Sequence, residues 1–462
     1  MSFLRSLDVM TIQRASLRPL LIKEVRELLS GRALWTLLLI LCPLVGFSLF
    51  QAVSLYGEVS NAARDQPLLA TSLSPLDGIL VPTFGAFYVA VTLLFPFVAI
   101  RALGREKETG ALKVLVQLPY QIRTLIAAKL AAVSVAWLIG VIPVAAALLL
   151  WVSFGGHLNP LETSNLLLGH LLYGLLIGAI ALFAAAISDN SATAAIVTLA
   201  FTIGSWVLDF ALAGQTGVLG WISRLSLTQA LHRFEQGLFA VALVFGMCAA
   251  IAGFATLAGV WLHPGVPLNQ KLARTFICVG VAGALLALAT QLRTSRDVAE
   301  DKRNSFPAAD QQALAGLNEP LIIIVHLAPE DPRYVDLQRN VLSKLERSPN
   351  VTIRLVTAGQ SVIGSAGEVS YGEIEYSYGG HSAKSRSTSH REALPLLYGL
   401  AGIPVPTPQS GDEYPGYPLL ADGWIALPSF FAALPLLIAT AWWWSRRAPH
   451  IPAQFVKNGG QL

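Results

Sequence analysis

"ALWTLLLILCPLVGFSLFQAV" (33–53) contains no charged residue. An α-helix rises about 1.5 Å per residue, so roughly 20 apolar residues cross about 30 Å of hydrocarbon. Hydrophobic residues make up 54% of the chain and charged residues only 13%, which excludes an ordinary soluble domain. The sequence therefore predicts an α-helical polytopic membrane protein with about eight transmembrane helices. The predicted spans are 33–53, 79–100, 125–151, 166–187, 192–213, 237–262, 275–292 and 424–444.

Lysine and arginine residues in the short loops predict the orientation, because cytoplasmic loops carry an excess of these cations. The predicted outer loops are poor in them: 54–78 holds only Arg64, and 152–165 holds none. Both termini are therefore expected in the cytoplasm. The cations beside the first and second spans on that side are Arg5, Arg14, Arg18, Lys23, Arg26, Arg32, Arg101, Arg105, Lys107, Lys113, Arg123 and Lys129.

The segment before the first span, 1–32, has the pattern of an amphipathic helix. Apolar residues recur at helical spacing with charged residues between them, which predicts a helix lying on the cytoplasmic face of the membrane. The alternative is a solvated helix packed on another domain. The apolar positions are Leu17, Leu21, Val25 and Leu28, and the charged ones are Arg18, Lys23, Arg26 and Glu27.

A small α/β domain is expected outside the membrane at 293–422, between the seventh and eighth spans, followed by the last span and a tail at 423–462. Its first part, 293–317, is polar and is expected to be a linker or stalk. The order strand, helix, strand, hairpin and helix resembles a thioredoxin-like layout. The predicted strands are 321–325, 351–355, 374–378 and 381–387, and the helices are 334–347 and 391–400.

Redox and metal chemistry are not expected in this outer domain. The three cysteines, Cys42, Cys248 and Cys278, all lie in predicted spans, so the domain has no thiol pair. His381 and His390 are the nearest approach to a metal site, but no ligand spacing supports them. No metal is therefore predicted.

The spans hold few ionisable residues, although ion-coupled carriers usually need them at mid-membrane. Asp209 and His170 are the exceptions and are the candidate pathway residues, with a structural role favoured for Asp209. A phosphate-binding P-loop needs a glycine directly before its lysine, and no lysine of this chain follows a glycine. We therefore expect no catalytic residue and no ATPase site in this chain.

The loop 101–129 is the most charged segment between two spans. It predicts a helical hairpin that is broken at Thr109-Gly110 and stopped at Pro119. Glu106 and Glu108 are suited to accept hydrogen bonds from an arginine of a partner, and the neighbouring cations are suited to acidic residues. The alternative is a basic loop that contacts anionic lipid.

These residues resemble the cytoplasmic coupling loop of type-2 ABC transporter permeases (ABC-2 type). The departure is Gly110-Ala111, where the family more often has Gly-Thr. "LIKEVRELLSGRALW" (21–35) is similar to the connecting helix of these permeases, and 33–262 to their six-span unit. The implied ATPase-coupling residues are Arg105, Glu106, Lys107, Glu108, Thr109, Gly110, Leu112, Leu115, Pro119 and Arg123, and those of the connecting helix are Lys23, Glu24 and Arg26.

The remainder, with the extra span at 263–292 and "YGEIEYSYGG" (371–380), resembles the gliding-motility-type auxiliary subunit of ABC transporters, fused behind the permease. The resemblance implies a multi-pass exporter subunit in the bacterial cytoplasmic (inner) membrane. It also implies a separate cytoplasmic ATPase dimer that binds ATP and Mg, a second permease copy and contact with membrane lipid. It implies no cofactor bound by this chain and no nucleic acid. The alternatives are a membrane scaffold that recruits envelope partners and an ion-coupled secondary carrier.

Overall fold

The computed structural model describes residues 17–117, 120–212, 226–292, 294–317, 319–328, 331–346, 350–356, 371–406 and 414–447, with the side chains of 67–68 and 209–210 excepted. Pro119, where the loop helix was predicted to stop, therefore lies outside the described residues.

Eight of the described helices are long and apolar enough to cross a membrane, which confirms the predicted polytopic fold. They are α2, α3, α5, α6, α7, α9, α10 and α14 of the following set. In chain order the helices are α1 (Leu17–Ser30), α2 (Arg32–Ala62), α3 (Leu76–Glu108), α4 (Ala111–Gln117), α5 (Ile122–Ser153), α6 (Pro160–Ile187), α7 (Ser191–Ala211), α8 (Leu227–Glu235), α9 (Val241–Leu262), α10 (Leu268–Ala289), α11 (Ala308–Ala315), α12 (Pro332–Leu337, continued by Gln338–Leu342 and Ser343–Leu345), α13 (His390–Ala401) and α14 (Gly423–Ser445), with a single turn at Pro67–Ala70.

Helix α6 is the central element of the bundle. Of its most apolar stretch 72% is buried, against only 6% for α10, which lies at the periphery. Glycines on α6 allow α5 to approach closely: a Cβ added at Gly174 would lie 2.2 Å from the Trp137 ring, and one at Gly178 would lie 2.6 Å from Val133. Small residues at such contacts are what lets membrane helices pack without a hydrophobic driving force between them.

The change Gly174→Ala is expected to lower the free energy of unfolding by about 1–3 kcal/mol, because the buried Trp137 ring has to move to admit the methyl group. Thermal unfolding of the solubilised full chain measures the effect. Gly85→Ala in α3 is the matched control, since a Cβ there meets no atom of the described structure within 4 Å. Equal unfolding temperatures for the two variants would contradict the close α5–α6 contact.

Both ends of the described chain lie at the same end of the bundle. The Ser445 hydroxyl at the end of α14 donates a hydrogen bond to the Leu29 carbonyl of α1 at 3.1 Å. The Arg446 and Arg447 guanidinium groups stack on the rings of Trp442 and Trp443, and such pairs are typical of the membrane–water interface. An even number of spans requires this arrangement.

The opposite end of the bundle carries the α/β domain through a polar joint. Arg303 pairs with Asp77 at the start of α3, at 2.5 Å, and with Asp301 at 2.6 Å. Glu300 accepts a hydrogen bond from the Tyr417 hydroxyl at 2.5 Å and lies 2.9 Å from His157 Nε2. The segment expected to be a linker is thus attached to the membrane helices by charged contacts.

The α/β domain contains the four-stranded sheet β4-β3-β5-β6. Its strands are β3 (Leu321–Val325), β4 (Val351–Leu355), β5 (Ile374–Tyr378) and β6 (His381–Ser385). β3 pairs in parallel with β4 and antiparallel with β5, and Gly379-Gly380 turns β5 into β6. Side chains of β3 and β5 form a separate core with α12 and α13, which confirms the small α/β domain.

A short ribbon that the sequence did not predict joins this domain to the membrane helices. β1 (Leu238–Ala240) pairs antiparallel with β2 (Ser295–Asp297). The prediction had treated 237–240 as the start of the sixth span and 295–297 as linker. Strands of three residues are too short for a period-2 pattern to be recognised, and their partners are far apart in the sequence.

Candidate functional site

Helix α1, the C-terminal end of α3 and the N-terminal end of α5 meet around a buried lysine. Lys129 of α5 is fully buried, and its ammonium lies 3.0 Å from a Glu24 oxygen of α1 and 2.6 Å from a Glu106 oxygen of α3. It also donates a hydrogen bond to the Ala102 carbonyl. A lysine in an apolar stretch needs such partners, because an unpaired buried charge is costly.

Further charges surround this centre. The Lys23 ammonium pairs with Glu106 and lies 3.1 Å from both Glu24 and Glu27 of its own helix. Arg105 adds a longer contact, 3.6 Å, to Glu27. Three cations and three carboxylates thus form one network across three helices. We call this set the charge cluster; it consists of Lys23, Glu24, Glu27, Arg105, Glu106 and Lys129.

Burial and the neighbouring charges shift the pKa values of two groups in the charge cluster, Lys23 and Glu24. Burial favours the neutral form of Lys23, but the hydrogen bond to Glu106 and the charge of Glu24 outweigh burial and raise the pKa of Lys23 above its ordinary value. Burial also raises the pKa of the Glu24 carboxyl, and the charge of Lys129 opposes that shift. The charge of Lys129 thus limits the upward shift that burial causes in the pKa of the Glu24 carboxyl.

Three carboxylates of the cluster have oxygens within 4.8 Å of one another, a grouping that hard divalent cations favour. The Lys23 and Lys129 ammonium groups, however, lie within ion-pair distance of these oxygens, and together with Arg105 they equal the carboxylates in number. The arrangement is that of an ion-pair network. Its effect is mechanical, because it ties the amphipathic helix α1 to two membrane helices.

The next two residues of α3 clamp the turn between α6 and α7. The Lys107 ammonium donates hydrogen bonds to carbonyls at the end of α6, at 3.1 Å to Ala186 and 2.5 Å to Ser188. The Glu108 carboxylate accepts from the Ser191 amide, at 3.1 Å, and from its hydroxyl, at 2.5 Å, at the start of α7. Each charge thus complements the helix terminus that it faces.

These contacts correct the surface pairing that the sequence suggested for Glu106, which is buried and does not stand free at the tip to bind a partner's arginine. Glu108 is exposed, and one of its oxygens accepts hydrogen bonds from Ser191, so its pairing with a partner stays a prediction. Lys107 is turned inward. The correction has a physical cause, because Lys129 of α5 and Lys23 of α1 both lie within ion-pair distance of the Glu106 carboxylate.

The outward-facing part of the loop is α4 and its flanks. Lys113, Val114 and Gln117 are exposed on α4, and Val114 is 61% exposed. We call these three residues the outer face of α4. Leu112 packs on the membrane core, which orients the helix, and Leu115 is half-buried. The exposed predicted residues flanking α4 are Arg105, Thr109 and Arg123.

Gly110 makes the turn from α3 into α4. Its φ of +76° lies in the left-handed region, which favours glycine, while an added Cβ would meet no atom of the described structure within 4 Å. The requirement for glycine is therefore conformational. The Thr109 hydroxyl completes the end of α3 by donating to the Arg105 carbonyl at 2.9 Å.

The order of elements here is an amphipathic helix, a span, a second span and a charged helical hairpin, joined by one ion-pair network. Residues 18–215 match the model of a family described as ABC-2 family transporter protein. We call 18–215 the ABC-2 region. It is less than half of the chain, and it contains the whole charge cluster and α4. The chain has no match among curated proteins or solved structures.

The match supports a multi-pass membrane protein with a transport role, and it supports the resemblance drawn from the loop. The resemblance of the outer domain to a gliding-motility-type subunit lies outside the ABC-2 region and stays a prediction. Within the ABC-2 region, the connecting-helix residues Lys23 and Glu24 are in the charge cluster, whereas Arg26 is exposed.

The two candidate pathway residues of the ABC-2 region lie on neighbouring helices. His170 is buried in α6, beside Phe84, and its Nε2 lies 3.6 Å from a Glu235 oxygen of α8. His170 is therefore packed inside the helix bundle. Asp209 lies in the last turn of α7, and its side chain is outside the described residues. A pathway role for either residue stays a prediction.

Sequence reasoning missed Lys129 and Glu27 as members of the charge cluster. Lys129 had been interpreted only as one of the cations that predict the cytoplasmic side of the loop. The signal was present: "LIAAKLAAVSV" (125–135) places one lysine inside an apolar run, where a charge requires a partner. The sequence did not indicate which carboxylates would provide it.

Proposed function

We propose that this chain is the permease subunit of an ATP-binding-cassette exporter, driven by a separate cytoplasmic ATPase dimer that binds ATP and Mg. The observation that carries the proposal is the charge cluster, which joins α1, α3 and α5 directly beside an exposed helix, α4. The chain then provides the membrane pathway, and the partner provides nucleotide hydrolysis. The match of 18–215 supports the transport role.

The first step of the mechanism is docking at the outer face of α4. Val114 offers an apolar contact and Lys113 a charge, a combination suited to a groove with an acidic rim on a partner. The Gly110 turn and the partly buried side of α4, which includes Leu112, fix the angle at which this face is presented.

The second step is transmission. A force on α4 reaches α3 directly through the Thr109-Gly110 turn. From Glu106 it passes to Lys129 of α5 and to Lys23 of α1, because these groups are held by short ion pairs. Lys107 and Glu108 extend the connection to α6 and α7. Such a network moves the helices as a unit, as alternating access by rocking helices requires.

The orientation and assembly follow from the same proposal. α1, α4 and the end of α14 face the cytoplasm of a bacterial cell, and the α/β domain faces outward. A second copy of the chain completes the pathway. The exposed apolar side of α7, which includes Ile196 and Trp206, is available to that copy or to lipid.

Copurification tests the docking step. The change Val114→Glu on α4 is expected to lower the retained ATPase about tenfold when the full chain is coexpressed with a candidate ABC ATPase, because a carboxylate then lies in the apolar contact. Val335→Glu is the matched control, since Val335 is similarly exposed on α12 of the outer domain. Unchanged retention with Val114→Glu would contradict docking on α4. Absence of any nucleotide-binding protein beside the wild type would favour a scaffold or a secondary carrier.

A further inference from the structure

A cavity of about 500 Å³ opens between α6 and the β1–β2 ribbon. One wall is a face of α6 with residues at i, i+3, i+4 and i+7 spacing, so they lie on one side of the helix. These residues are Leu161, Ser164, Asn165 and Leu168. The volume is in the range of small-ligand sites, which is roughly 300–1,000 Å³.

The second wall is one face of the ribbon. Phe239 of β1 and Arg296 of β2 line it, together with Val241, Thr294 and Val298, which directly flank the strands at alternate positions. Phe239 and Arg296 are direct cross-strand partners. The wall therefore combines apolar side chains with one guanidinium group.

The other face of the ribbon is already satisfied by the fold. Asp297 accepts hydrogen bonds from the Asn304 amide at 2.9 Å and from the Ser305 hydroxyl at 2.7 Å. On the cavity side, Arg296 is exposed and forms no ion pair with the described residues. Asp297 on one side of the ribbon is thus hydrogen-bonded within the protein, whereas Arg296 on the other side is a cation without an ion-pair partner among the described residues.

A buried polar atom on the opposite wall also lacks a partner. Asn165 is only 5% exposed, and its amide nitrogen donates to the Phe234 carbonyl at 3.1 Å. Its Oδ1 atom has no hydrogen-bond partner among the described residues. Buried polar atoms in native proteins are nearly always paired, so this oxygen points to a ligand that brings a donor.

The cavity lies where membrane helices meet the polar part of the molecule. α6 begins at Pro160 and α9 at Val241, and both helices enter the apolar bundle from this end. Leu161 at the rim is 69% exposed, which suits contact with acyl chains. A soluble anion would need the cation but would gain nothing from this apolar rim and floor.

We propose that the cavity binds an anionic phospholipid of the leaflet on the side of the α/β domain. The phosphate pairs with the Arg296 guanidinium, a headgroup or glycerol hydroxyl donates to Asn165 Oδ1, and an acyl chain runs past Leu161 into the bilayer. The site is separate from the coupling loop and does not depend on the proposed export function.

Photocrosslinking with the full chain in nanodiscs tests this site. The probe is a photoreactive phosphatidylglycerol, compared with phosphatidylcholine carrying the same chains. Arg296→Gln is expected to weaken phosphatidylglycerol capture about tenfold and to leave phosphatidylcholine unchanged, since it removes one charge-assisted contact. Arg391→Gln, an exposed arginine on α13, is the control and should change neither lipid.

A second variant tests the cavity itself. Ser164 is exposed on the α6 wall, so Ser164→Trp should fill the space without disturbing the core and should reduce capture of both lipids. Equal phosphatidylglycerol capture by Arg296→Gln and Arg391→Gln would overturn the proposal. It would also be overturned if glycerol phosphate in solution competed as well as the lipid, because the site would then bind a soluble anion.

Discussion

Replacing Lys129 with methionine is expected to lower the free energy of unfolding of the membrane region by about 3–5 kcal/mol. Lys129 is fully buried, and its ammonium holds Glu24 at 3.0 Å and Glu106 at 2.6 Å. Methionine is similar in volume, but it leaves two buried carboxylates that share the partly exposed Lys23. Thermal unfolding of the solubilised full chain measures the loss.

A second substitution separates charge from packing in this test. Lys129→Met combined with Glu106→Gln removes one charge of each sign, so the double variant should recover at least about 1 kcal/mol relative to Lys129→Met alone. Lys113→Met on the exposed side of α4 is the matched control and should stay within about 0.5 kcal/mol of the wild type. Equal stability of the two single variants would show that the cluster does not hold the helices together.

The membrane topology could be predicted from the sequence because hydropathy is a local property. A helix of 33–53 is long enough to cross the hydrocarbon core, whichever residues precede or follow it in the sequence. All eight predicted spans correspond to helices. Their ends were less predictable: α2 continues to Ala62, since polar residues remain helical beyond the hydrocarbon. The outer sheet was predictable for a similar reason, because β3 and the Gly379-Gly380 hairpin carry strong local signals.

The position of the candidate site in the sequence could be predicted, but the contacts of its residues could not. The loop 101–129 stood out by its charges, yet the partners of those charges lie far away in sequence: Glu24 is 105 residues from Lys129, and Lys23 is 83 residues from Glu106. Local patterns carry no information about such pairs. The sequence therefore suggested a charged surface at Glu106, where tertiary packing forms a buried network. The cavity beside α6 was missed for the same reason, since its second wall is a ribbon that the sequence did not predict.

The change Glu106→Gln is expected to leave the ATPase bound while reducing ATP turnover in the reconstituted complex by roughly threefold to tenfold, a coupling loss of about 0.5–1.5 kcal/mol. Glutamine retains the shape of the side chain but loses the charge that ties α3 to Lys23 and Lys129. The outer face of α4 is unchanged, so docking should persist. This behaviour differs from that expected of Val114→Glu, which should lose the partner.

Two measurements on the same complex distinguish transmission from docking. The first is the retained ATPase, and the second is the distance between spin labels on α1 and on the inner end of α3, with and without ATP. In the wild type this distance should stay constant as the helices move together. In Glu106→Gln the distribution of distances should broaden. Glu58→Gln, an exposed position at the far end of α2, is the control. A narrow distance distribution and full ATP turnover in Glu106→Gln would show that force passes through the bundle without the charge cluster, because that variant removes the carboxylate of α3 that pairs with both Lys23 and Lys129.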